Sequence, residues 1–291
     1  MLAQTRLLAA ELLRNVPARG VTRLQRALVP QPILEQVRGK RYSYPADLGV
    51  TTTWIGSPAS LIGWAVHFRG AYELSTLGIL AALLEPGDGV VEGGANEGYH
   101  TAFMAALVGK TGRIWAFEPN PLPRKTLEAN TRDWPFVTIH HEALAAEPAD
   151  ARDFFIPRSD VPNQGLGGFA HNSTQATEKV TVRIETVDRV IGEAPVSLIK
   201  LDVQGFEHEV MAGAKNIVAR DLPYVLFESI PWEKSGPEVA AMLRGFGYSL
   251  WRVDELTDHP YFSLQPAGKM EAASNYLGMP PPRSRRPSPK T

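Results

Sequence analysis

Three carboxylates sit where short apolar runs stop: Glu92 in VVEGGANEG, Glu118 in WAFEPNP and Asp202 in LIKLDVQG. In each, β-branched or aromatic residues give way to an acid and then to glycine, proline or asparagine, the composition of a strand running into a turn. Gly93 and Gly94 permit backbone conformations and close approaches that a Cβ forbids, and Gly98 lets the following helix start close to the sheet. Glu92 at the strand tip serves no packing purpose. Its carboxylate faces either a helix N-terminus or a ligand that offers donors, such as a cation, an amine or a hydroxyl. Glu118 follows the last glycine by about twenty residues, the spacing at which an acid accepts hydrogen bonds from ribose hydroxyls in dinucleotide-type folds. An adenosine-containing ligand is indicated, and both NAD and S-adenosylmethionine present a ribose there. A diphosphate wants a bare helix N-terminus, which Glu97 opposes. Two acids around the turn suit a sulfonium with an α-amino group better.

Composition narrows the chemistry further. The 291 residues hold 30 Lys and Arg against 31 Asp and Glu, so no basic footprint recommends nucleic acid as a partner. The absence of cysteine removes disulfides, thiolate metal sites and Cys nucleophiles together. The stretch MLAQTRLLAAELLRN carries Arg6, Glu11 and Arg14, so it lacks the apolar core of a signal peptide and is too short and charged to span a bilayer. A cytoplasmic location is expected. Leu2, Leu8 and Leu12 make one face of an amphipathic helix that packs on the body, joins two subunits into a homo-oligomer or lies on a membrane surface, with packing the favoured reading.

The elements that must position these acids alternate. Strands are expected at Val90–Glu92, Arg113–Phe117, Val137–His141, Ser197–Asp202, Tyr224–Glu228 and Tyr248–Val253. Helices are expected at Glu97–Val108, Pro121–Asp133, Phe206–Ala219 and Pro237–Phe246, with Asn120 capping the second and Gly109 and Gly247 marking stops. This rhythm predicts an α/β fold, a largely parallel sheet covered on both faces. Residues 1–86 read as an N-terminal helical and mixed elaboration, 87–280 as the main domain, and 281–291, rich in Pro, Ser and basic residues, as a disordered tail. A glycine-rich polar stretch at about 151–182 reads as a β excursion or flap before the fourth main strand. Its Asn172-Ser173-Thr174 fits the glycosylation pattern by coincidence.

Taken in order, VVEGGANEGYHTAF, WAFEPNP, HHEAL, VRIETVDRV, LIKLDVQGFEHEVMAGA, VLFES and SNYLGMP resemble the FkbM family of S-adenosylmethionine-dependent methyltransferases, from roughly Tyr72 to Pro280. The resemblance implies a class I methyltransferase (Rossmann-like) fold, a seven-stranded mixed sheet with its last strand antiparallel, and methyl transfer usually to a hydroxyl oxygen. It places Glu92, Gly94, Asn96 and Gly98 in the first cofactor motif, with Glu118 as the ribose acid beside Asn120. Glu142 and Ala143 fall beside the adenine, and Asp202 faces the methionine end and the acceptor. Two positions depart from the family: Glu92 stands where Asp is usual, and Gln204 where Glu is usual, which removes a carboxylate beside the expected reaction centre.

A hydroxyl acceptor calls for a base, and the candidates are Asp202, Glu207, His208 and His100. Glu207 has the alternative task of stabilising the start of its helix, and both histidines have structural alternatives. Asp202 and Glu228 end adjacent strands and with one more oxygen could hold a divalent metal, although a metal-free site is the favoured expectation. The acceptor is expected to be a small molecule, a sugar or a glycan-like natural product. A nicotinamide-dependent oxidoreductase and a non-catalytic protein retaining the cofactor fold are the competing readings.

Overall fold

The computed structural model describes residues 28–37, 39–157, 177–229, 234–256, 261–268 and 274–282, with single positions 6, 25, 168 and 270. The amphipathic face at Leu2, Leu8 and Leu12, the acceptor pattern at Asn172 and most of the C-terminal tail lie outside the described residues.

After a helical turn at Gln31–Leu34 come a hairpin of β1 (Lys40–Ser43) and β2 (Thr53–Gly56), then α1 (Leu61–Arg69) and α2 (Leu74–Leu83). The main alternation follows as β3 (Gly89–Gly93), α3 (Tyr99–Val108), β4 (Arg113–Phe117), α4 (Pro121–Thr131) and β5 (Val137–His140). An excursion of β6 (Ala143–Leu144), β7 (Ala149–Pro157) and β8 (Thr177–Glu185) forms its own three-stranded sheet. The chain returns through α5 (Val187–Ile191), β9 (Leu198–Leu201), α6 (Glu207–Ala212), α7 (Lys215–Asp221), β10 (Tyr224–Ser229) and α8 (Ser235–Gly245). It closes with β11 (Ser249–Glu255), β12 (Phe262–Pro266) and β13 (Ser274–Met279).

The large sheet runs β12-β11-β13-β10-β9-β3-β4-β5, parallel from β5 to β10, with β13 inserted antiparallel between β10 and β11. The expected mixed α/β sheet with an antiparallel last strand is present, and β12 adds an eighth strand at its edge. Both faces are covered. Val90 and Ile114 join Leu77, Leu80 and Phe103 on one side, while the adjacent Val91 joins Ile199, Met211 and Phe227 on the other. Successive strand residues point to opposite faces, so a strand buried on both reads as an unbroken apolar run.

Of the helix boundaries that differ from the sequence expectation, two do so for legible local reasons. The first helix starts at Tyr99 rather than Glu97, because Asn96 and Gly98 hold left-handed backbone at φ 52° and 76°. The span expected as one helix from Phe206 breaks after Ala212, and the Asp188 carboxylate accepts from the amides of Asn216 (3.0 Å) and Ile217 (2.9 Å), capping a new helix.

Candidate active site

The glycine turn is welded to its neighbours through backbone. The amides of Gly94 and Ala95 both donate to the Phe117 carbonyl at 3.0 Å, and the Asp202 amide donates to the Gly93 carbonyl at 3.0 Å. Gly94 holds φ +79°, and a Cβ on it would lie 2.0 Å from the Asp202 carbonyl oxygen. Only glycine fits there, and that fit seats the turn directly on the end of β9. Gly98 serves a different approach from the one expected: a Cβ on it would meet Leu127 at 2.8 Å, so it lets α3 close on α4 rather than on the sheet.

Glu118 is buried at the tip of β4, where its carboxylate accepts from the amides of Asn96 and Asn120, both at 2.8 Å. Burial pushes it up to about 7, against those two amides and Arg124, which pull it down. Asn120, itself buried, caps α4 by accepting from the Leu122 amide at 3.0 Å. Glu97 corrects one expectation. Its carboxylate turns away from the α3 terminus to the Ser60 hydroxyl (3.0 Å), and burial raises it to about 7, so it puts no firm charge where a diphosphate would lie.

Glu92 is buried, at 1 % exposure, and faces protein rather than open space. It accepts from the Thr101 hydroxyl at 2.6 Å and pairs with the equally buried Lys200, whose ammonium lies 3.7 Å away on the adjacent β9. Burial raises Glu92, while Lys200 and Thr101 oppose it. Lys200 is missing from the sequence-based candidates, although a lysine between Ile199 and Leu201 in a strand that is otherwise apolar is a legible signal.

At the end of β9 the chain turns tightly. Gln204 takes φ 54° and Gly205 φ 91°, and the Gln204 side-chain amide donates to Asp202 at 2.8 Å and to Glu228 at 3.4 Å. Burial first, then the charges of Asp202 and Glu73, push Glu228 up to about 8. The amide thus puts an N–H between two carboxylates, where a metal would need lone pairs, and no metal-holding group of three or more His, Asp or Glu occurs among the described residues. Glu207 is buried behind the turn. It accepts from the amides of Val203 (3.1 Å) and Gly205 (3.3 Å) and from the Ser235 hydroxyl (2.7 Å). These bonds hold the turn in shape.

His100 is buried on α3, with Nε2 3.7 Å from the Glu73 carboxylate and its ring beside Tyr72 and Tyr99. Burial and the Lys200 charge hold it well below the ordinary histidine value. Tyr72 and Glu73 were not found from the sequence, because nothing local distinguishes them in RGAYELSTL. His208 stands apart, with its ring between Glu209 (3.6 Å) and Glu238 (3.5 Å). Glu142 lies near His140 and Arg183, both at 3.8 Å, and lines a surface groove with Pro119 and Arg124; Ala143 is buried in β6.

A parallel sheet with an inserted antiparallel strand, a glycine turn after its first central strand and an acid at the next strand tip define a class I methyltransferase. A family model for the methyltransferase FkbM domain matches residues 92–250. The chain belongs to the FkbM family of S-adenosylmethionine-dependent methyltransferases. Among curated proteins it is similar to the 31-O-demethyl-FK506 methyltransferase FkbM of Streptomyces tacrolimicus, 28 % identical over 195 residues, 57 % of this chain and 75 % of that protein. Among solved structures it is similar to a methyltransferase FkbM from Methylobacillus flagellatus, at TM-score 0.47 and 14 % identity, covering 94 % of this chain. This chain spans 58 % of that protein's length. It is also similar to the fibrillarin of Aeropyrum pernix in complex with S-adenosylmethionine, at TM-score 0.41 and 15 % identity, covering 68 % of each chain. No helix among the described residues is long and apolar enough to cross a membrane.

Proposed function

We propose that the chain transfers a methyl group from S-adenosylmethionine to a hydroxyl oxygen of a small molecule, a sugar or a glycan-like natural product. The observation that carries this reading is the contact of Gly94 with the Asp202 backbone. It sets the half-buried Asp202 beside the glycine turn, to which we assign the methionine end. The Streptomyces relative, a 31-O-demethyl-FK506 methyltransferase, supports oxygen as the acceptor.

The residues suit the cofactor. Glu118 is a buried carboxylate that accepts from two backbone amides, and a ribose diol offers further donors that would relieve its burial. Glu118 with Asn96 and Asn120 holds the ribose, Gly94 and Gly98 leave room at the turn, and Glu142 and Ala143 border the adenine. Glu92 acts through Lys200 and Thr101, keeping β3 and β9 in register at the methionine end. When bound, the cofactor supplies an electrophilic methyl on a sulfonium. The chain's own part is to align the acceptor oxygen, and Asp202, fixed by Gln204, orients it. Acceptor choice is assigned to residues 1–86 and the excursion at 151–182, and the methyltransferase domain to residues 87–280.

Calorimetry with S-adenosylmethionine, S-adenosylhomocysteine and NAD, followed by a methyl-transfer screen over hydroxylated metabolites and glycans read by mass, tests the reading. Binding of NAD alone would sink it. The same calorimetry carries a pH prediction. Glu118 must be ionised to accept from a ribose, so cofactor affinity should rise about tenfold from about pH 6 to about pH 8, the change in ionised fraction across a value near 7. Glu118→Gln should bind more weakly and lose this pH dependence. Folding stability runs the other way: the raised carboxyl favours the folded state at low pH and loses that contribution as pH rises from 4.5 to about 7.

A further inference from the structure

We propose that Glu73, which precedes residues 92–250 matched by the family model, is the general base that takes the proton from the acceptor hydroxyl, held in position by Thr76. The proposal rests on the hydroxyl reading above.

The backbone gives the first observation. Glu73 stands immediately before α2 in left-handed conformation, φ 46° and ψ 61°, and its side chain makes no capping bond to the helix it precedes. A non-glycine residue keeps such a backbone only where surrounding structure imposes it. Here the carboxylate is turned inward and tethered. The Asn275 amide on β13 donates to the Thr76 hydroxyl at 3.1 Å, and that hydroxyl donates to Glu73 at 3.2 Å. The Tyr72 side chain beside Glu73 favours the charged form of the carboxylate. The tether runs from the sheet to the carboxylate, so the strained residue is aimed rather than loose.

The second observation is His100. Its side chain is 7 % exposed and its Nε2 has no hydrogen-bond partner, yet that atom faces Glu73 at 3.7 Å. A buried ring nitrogen left short of a bond marks a place completed by something further. Glu73 itself remains 28 % exposed, which leaves an acceptor a path to the carboxylate and a proton a path out.

The third is the electrostatic surroundings. The titratable and charged groups facing Glu73 are Tyr72 on its own segment, Tyr99 and His100 on α3, Lys200 and Asp202 at β9, and Glu228 on β10. Burial first and the Asp202 charge second raise Glu73, while Lys200, Tyr72 and Thr76 pull it down. A carboxylate whose proton affinity is raised is a stronger base than an ordinary one. In the step, the acceptor O–H breaks as the O–CH₃ bond forms and the S–CH₃ bond breaks. The sulfonium's electron pair returns to sulfur as a neutral thioether, and the proton lands on Glu73, to leave through its exposed edge. Asp202 on the other side orients the same hydroxyl.

The experiment uses the full-length enzyme with S-adenosylmethionine and four probes: methyl glucoside and cyclohexanediol as hydroxyls, benzylamine as an amine and benzoate as a carboxylate. Glu73→Gln is expected to lower kcat on the hydroxyl probe by about 100-fold while the cofactor Kd stays within about threefold, and to remove the acid limb of the wild-type pH–rate profile. Glu73→Gly takes left-handed backbone without strain, so it should keep the wild-type Tm or raise it while losing transfer equally. Hydroxyl transfer within about threefold of wild type in either variant, or an acid limb that persists in Glu73→Gln, overturns the assignment alone. Transfer by the wild-type enzyme only to benzylamine or benzoate overturns the hydroxyl reading and the assignment together.

Discussion

Replacing Lys200 by methionine is expected to destabilise the protein by about 3–5 kcal/mol, because it leaves the buried Glu92 carboxylate without its counter-charge. Lys200 is 4 % exposed, and the charges of Glu92, Asp202, Glu73 and Glu228 act on it. Burial alone would lower its proton affinity, but the four carboxylates outweigh that and hold it above the ordinary lysine value. Its contribution to stability is therefore complete below the usual lysine range and fades only as pH climbs past the folded-state value. Urea unfolding measures the loss. Glu92→Gln combined with Lys200→Met should recover most of it, since removing both charges also removes the desolvation that each relieves for the other. A single-mutant cost near that of an exposed ion pair, below about 1 kcal/mol, would show that the pair does not carry this burden. The prediction also recasts Glu92: its first duty is to fasten β3 to β9 beneath the turn.

Asp202→Ala is expected to reduce methyl transfer by about 100-fold or more, because misplacing a reacting oxygen by about 1 Å can cost that much, while the cofactor dissociation constant changes far less. The carboxylate projects from the end of β9, where the Gln204 amide holds it and the Gly94 backbone presses on its own main chain. Removing it frees Gln204 and leaves the glycine turn in place, since the bonds there are backbone to backbone. Turnover in single-turnover mixing, set beside calorimetric binding of S-adenosylhomocysteine, separates the two effects. A variant with unchanged turnover removes Asp202 from the acceptor site. A variant that no longer binds the cofactor would instead move Asp202 to the methionine end alone.

Gln204 gives these two expectations a common thread. A glutamate there would add a fifth carboxylate to Glu92, Asp202, Glu73 and Glu228 around a single lysine. The amide instead donates to Asp202 and Glu228, so each negative group meets a donor. The change that looks like a loss of catalytic charge in one dimension is a gain in electrostatic balance in three.

The sequence by itself determined the alternation of strands and helices, the places where β3, β4 and β9 end in acids, and the glycine turn between them. Those features are local: periodicity, capping and turn chemistry are set by residues within a few positions of one another. It also showed the FkbM likeness, because the motifs are short and ordered along the chain. Glu207 was legible as an acid near a helix start, but only the tertiary structure showed its carboxylate bound to the amides of Val203 and Gly205 and to Ser235. Lys200 reads as an oddity in one strand until β3 brings Glu92 beside it. Glu73 carries no sequence signature at all. Its meaning comes from His100 on α3, Asp202 at β9, Glu228 on β10 and the Asn275–Thr76 tether from β13, which the crossovers of a parallel sheet gather from positions 27 to 202 residues away along the chain. Burial and proximity of that kind set charge states and bond partners, and no window of consecutive residues contains them.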